Sequence, residues 1–146
     1  MKKLFTLALV FYCSISYAVP LMPVSQPVVK FTPGVLCSQS DRDFSEIVYP
    51  EKISRCQRNI GDEEKTAVAA NYGNIPRSEW NNYEFDHLFP VCAGGSNSPE
   101  NLWPQPLTEA KKKDILEVDI CLAMKAGTLK QSEAVKKIQD WFSQTH

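Results

Sequence analysis

Apolar residues first gather in a run from Leu4 to about Ile15, behind Lys2 and Lys3 and ahead of Ser16-Tyr17-Ala18. That order predicts a secretory signal over residues 1–18, with an apolar run too short to span a bilayer. Cleavage after Ala18 leaves residues 19–146, enough for one domain with a modest core. From Val19 to about Thr32 the stretch VPLMPVSQPVVKFT is apolar but proline-spaced and without helical period, so 19–34 reads as an extended arm. Pro33-Gly34 marks a turn, and Val35 to Asn59 mixes turn formers with aromatic and β-branched residues as an irregular region.

Helical pattern begins at Asp62, a cap followed by Glu63 and Glu64, and runs to Tyr72 before Gly73. Tyr83 to Val91 alternates as a strand that Pro90 ends. The loop AGGSNSPEN reverses the chain, and Asn101-Leu102-Trp103 returns as a second strand closed by Pro104 and Pro106. Thr108 caps a helix through about Ala126, with Gly127 as its stop. On it Ile115, Val118, Cys121 and Leu122 share one face, expected to meet the core. A last helix from about Ser132 to Phe142 buries Ala134, Val135, Ile138 and either Trp141 or Phe142. The pattern predicts an α+β fold in a single domain over 35–146.

Charge narrows the picture little. Loss of Lys2 and Lys3 leaves 14 of the 16 basic residues against 17 acidic ones, a formal charge of −3, so composition does not advertise nonspecific capture of nucleic acid. Any phosphate-binding surface must be local. Cysteine says more. Cys13 departs with the signal, leaving Cys37, Cys56, Cys92 and Cys121, an even set in an exported chain that favours two disulfides over a metal cluster. Three pairings are open. Cys37 with Cys56 and Cys92 with Cys121 is the favoured one, because the first closes a local loop and the second ties the hairpin to the following helix.

Chemistry concentrates in EFDHLFPVCAGGSNSPENLWPQP, residues 84–106, which holds His87, the only histidine apart from His146. Asp86-His87, Gly94-Gly95 and Asn101-Leu102-Trp103, laid on strand, loop, strand and helix, resemble the HNH group of ββα-metal (His-Me finger) endonucleases. The run is similar to small exported HNH-type proteins with a DH…GGSN…NLWPQP signature. The resemblance implies a ββα-metal core over about 83–126, with additional helices and a disulfide-stapled N-terminal region. It also implies a metal-dependent endonuclease that cuts DNA, and RNA as a further substrate, with low sequence preference.

In that reading His87 is the general base, since an imidazole titrating near neutrality suits deprotonation of a water. Asp86 is a ligand to a divalent cation, Mg2+ first and Mn2+ as the alternative. Asn101 holds the loop backbone with an amide that both donates and accepts. The family's third position, a His or Asn near the helix start, is absent; Glu109 is the nearest oxygen ligand, and Lys112 and Lys113 are phosphate-binding candidates. Plainer readings stand beside these. Glu109 suits a helix N-terminus and an i,i+4 pair with Lys113, Lys111 to Lys113 suit a solvated helix face, and His87 suits a strand histidine bonded to Asp86. The expectation is therefore an exported, periplasmic or secreted monomeric nuclease, with a non-catalytic binding module on a degenerate HNH scaffold as the alternative.

Overall fold

The computed structural model describes residues 25–144; the expected signal, Cys13 and the start of the expected arm lie outside them. Two short antiparallel hairpins and three helices share one apolar core, an α+β arrangement. The first hairpin, β1 (Phe44–Val48) and β2 (Ile53–Cys56), lies inside the region expected to be irregular. Its turn uses Tyr49 and Lys52 at φ 65° and 62°, left-handed positions that no glycine announces. Helix α1 (Asp62–Asn71) starts from Gly61, whose backbone N–H donates to Glu64, rather than from Asp62.

The second hairpin pairs β3 (Tyr83–His87) with β4 (Leu102–Pro106), Asp86 opposite Trp103 and His87 opposite Leu102. Strand β3 is shorter than its apolar pattern suggested, while β4 runs through both prolines. The Leu88 N–H bonds the Asn101 carbonyl. Continuing that alternation points the N–H groups of Trp103 and Gln105 at β3, so Pro104 and Pro106 fall where a missing donor costs the ladder nothing. Helix α2 (Leu107–Lys125) follows without a break, and α3 (Gln131–Gln144) packs back through Ala134, Ile138 and Phe142.

The buried face of α2 is not the expected one. Ala110, Lys113, Ile120 and Met124 are buried, whereas Ile115, Val118 and Leu122 are 68%, 56% and 61% exposed. The inward stripe contains Lys113 and the half-buried Glu117, so its polarity concealed it from a reading based on apolar spacing.

Both disulfides form in the favoured pairing, with Cα separations of 5.8 Å for Cys37–Cys56 and 5.6 Å for Cys92–Cys121. They fit an oxidising compartment. Among the described residues no helix is long and apolar enough to cross a membrane. The described part of the arm is laid against the domain. Thr32 is buried, bonding Tyr72 at 2.7 Å and the Leu102 carbonyl at 2.8 Å, and Gly34 N–H donates to the Glu100 carbonyl at 2.9 Å.

Candidate functional site

The loop between β3 and β4 is fixed by one side chain. Asn101, fully buried, donates from Nδ2 to the carbonyls of Phe89 (3.0 Å) and Ser96 (2.9 Å), and its Oδ1 accepts from the Phe89 N–H at 3.0 Å. Gly95 makes that closure sterically open, since a Cβ there would lie 1.7 Å from the Phe89 carbonyl oxygen. The loop in turn delivers Asn97 to His87.

His87 is 1% exposed and held at both ring nitrogens. Its Nε2 lies 3.0 Å from Asn97 Oδ1, and its Nδ1 lies 3.1 Å from Arg58 Nη1. Asn97 Nδ2 already donates to Asp43 Oδ2 at 2.9 Å and to the Gln57 carbonyl at 2.8 Å, so its amide cannot turn over without losing both bonds. Asn97 therefore faces His87 with an acceptor, Nε2 carries the proton, and Nδ1 presents its lone pair to Arg58. Asp43 stays anionic, held below the usual carboxylate range by donors from Asn59 and Asn97. Burial pushes the His87 imidazole down to about 4, a shift the Asn97 bond opposes and the Arg58 charge assists. At neutral pH the ring is uncharged, with one oriented basic nitrogen.

Asp86 points the other way. Adjacent strand residues alternate faces, and its carboxylate meets Lys113 on α2, Nζ to Oδ2 at 2.5 Å. Lys113, 1% exposed, also donates to the His87 carbonyl at 2.6 Å and to Glu117. Burial works against its charge, but Asp86 and Glu117 outweigh that and hold the ammonium above its ordinary pKa, while burial raises the Glu117 carboxyl.

The residues that sequence assigned to a cation thus do not gather around one. Glu109, in the first turn of α2, is partly exposed and pairs with Lys112 at 2.8 Å, as a helix-start carboxylate with a near lysine does. Lys113 is sealed in the protein and so cannot receive a phosphate. Lys112 is exposed but engaged by Glu109. With Lys113 already on Asp86 and Lys112 on Glu109, the expected ligand pair Asp86 and Glu109 does not fit a divalent ion. Cys37, Asp41 and Cys56 bring ligand atoms within 4.8 Å of one another, but both sulfurs belong to the disulfide and neither is a thiolate.

Arg58 connects the histidine to open space. Its side chain is 52% exposed, lies 3.7 Å from Glu84, and forms part of the wall of a cleft of about 840 Å3. Lys65, Arg77, Trp80 and Tyr83 line the same cleft. Arg77 bonds Asp62 at 2.6 Å and lies over the Trp80 ring at 4.9 Å. Three cations, of which Arg58 and Arg77 face Glu84 and Asp62 in the same wall, the rings of Trp80, Tyr83 and Phe85 and the amides of Asn59 and Asn81 suit an anionic, base-bearing ligand. Sequence reading missed Arg58, Asp43 and Glu117, which no local pattern marks, and took Asn97 only as part of a turn-forming loop. No protein-family model, curated protein or solved structure matches this chain.

Proposed function

We propose that this chain is an exported nucleic-acid phosphodiesterase of the HNH type, using His87 as general base on a strand bound in the cleft beside Arg58. One observation carries the reading: the imidazole is locked in a single tautomer, with its unprotonated Nδ1 directed at the cationic wall of a cleft that offers rings for stacking. The hairpin β3–β4 running straight into α2 supports a ββα core.

Entry of a phosphate draws the Arg58 guanidinium off the ring, because a bidentate anion is a stronger partner than a neutral imidazole. That movement opens Nδ1 to a water. The phosphate charge also lifts the imidazole pKa from about 4 towards neutrality, which strengthens it as a base. Nδ1 takes a proton from the water, the hydroxide adds to phosphorus, and the P–O3′ bond breaks. The leaving oxygen takes a proton from solvent, giving a 5′-phosphate and a 3′-hydroxyl. Arg58 and its neighbours neutralise charge building on the phosphoryl oxygens.

The mature chain, from Val19, is expected to nick supercoiled plasmid, and His87→Ala is expected to lower the rate by about 10²–10⁴-fold while the circular-dichroism spectrum stays native. Plasmid left intact by folded wild-type protein, with and without added Mg2+ or Mn2+, overturns this. A second reading has its own support in the 1% exposure of the imidazole: a nucleic-acid-binding module that never uncovers its histidine. It predicts that oligonucleotide binding is unchanged in His87→Ala and that no strand is cut.

A further inference from the structure

We propose that Lys113 is itself the cation of this site: its ammonium occupies the place among Asp86, Glu117 and the His87 carbonyl that a divalent ion would take, so the native chain binds no metal at Asp86. An ammonium has three N–H donors, and here all three find oxygen, on Asp86 Oδ2 at 2.5 Å, on the His87 carbonyl at 2.6 Å and on Glu117. Two carboxylates and a carbonyl are also what a hard divalent cation selects. Two of the oxygens come from β3 and the third from Glu117, one turn beyond Lys113 on α2.

Lysine reaches this point from the same helix face as Glu117 and fills it with a charge that cannot dissociate. A metal entering beside it meets a buried like charge and a carboxylate oxygen already bonded. At 1% exposure Lys113 is sealed from solvent. The ammonium also anchors the carbonyl of His87, so it holds the base's backbone in position without touching the reacting atoms.

The inference does not rest on the nuclease reading, and its test uses no nucleic acid. Mn2+ is titrated into the mature wild-type chain and followed by paramagnetic broadening of the backbone amide signals of His87 and Lys113, with melting temperature recorded in parallel. No saturable broadening at these two residues and no rise in melting temperature is expected. Lys113→Ala leaves Asp86, Glu117 and the carbonyl without a cation. It is expected to acquire saturable Mn2+ binding, seen as broadening at His87 and a metal-dependent rise in melting temperature. Saturable broadening in the wild type overturns the proposal, as does a folded Lys113→Ala chain that gains no metal. Should that variant not fold even with Mn2+, the wild-type titration decides alone.

Discussion

At the scale of single residues the decisive feature is a histidine whose protonation the fold opposes. Folded, His87 titrates at about 4; its ordinary value is 6.5. Between those values the unfolded chain binds a proton that the native one does not, so stability rises with pH across this window. The contribution is complete above 6.5 and is lost as pH falls towards 4, amounting to about 3 kcal/mol for such a shift. That is a large share of the roughly 5–15 kcal/mol that holds a domain together. Urea midpoints measured from pH 7 down to pH 4 are therefore expected to fall steeply for the wild type, and His87→Gln is expected to flatten the curve over this window. Acid lability below it remains in the variant. Asp43 and Glu64 are held below their ordinary values of 3.8 and 4.5, by hydrogen bonds from Asn59 and Asn97 and from backbone N–H groups respectively, and they lose that stabilisation only as pH falls further. An unchanged slope in His87→Gln contradicts the neutral, buried ring.

At the scale of elements, α2 shows what apolar spacing reports and what it hides. The residues Ile115, Val118 and Leu122 form a genuine helical stripe that faces solvent, and the inward stripe is built around a charged group. Replacing the three together with Lys, Glu and Gln is expected to change unfolding free energy by less than about 0.5 kcal/mol per site, read from chemical denaturation. A loss of several kcal/mol shows the stripe to be covered. The hairpin and helix were legible because their signals are local: Gly94-Gly95 for a close turn, Gly127 for a helix stop, alternating residues in β3. The loop-holding bonds of Asn101 were expected only from the family resemblance, since by itself an asparagine after a glycine-rich loop reads as a turn residue. The partners of His87 and Asp86 were not. Arg58, Asp43 and Lys113 reach them across 29, 44 and 27 positions of sequence, or through an intermediary as Asp43 does, and such pairings arise only once hairpins and helices have packed. The β1–β2 hairpin was missed for a local reason, because Tyr49 and Lys52 take left-handed turn positions that glycine or asparagine usually marks.

For the whole molecule the question is how a chain with a formal net charge of −1 would hold a polyanion. Net charge gives no general attraction for nucleic acid, so binding must come from short-range contacts in the cleft that Arg58, Lys65 and Arg77 line. Each phosphate neutralised there releases counterions, and the slope of log affinity against log salt counts them, at about −0.7 per contact for a single strand. Three cations predict a slope of about −2, measured by fluorescence anisotropy of a labelled single-stranded oligonucleotide across about 50–200 mM NaCl. Loss of one cation should make the slope shallower by roughly one contact's worth, and the Arg58→Ala, Lys65→Ala double variant should lose about two. The slope discriminates better than affinity does, because a partly unfolded variant binds less at every salt concentration without altering the number of ions released. Arg58 also has a second effect that Lys65 lacks, since its removal uncovers Nδ1 of the histidine. If the double variant keeps the wild-type slope, the cleft is not where nucleic acid lies, and the oriented imidazole serves something else.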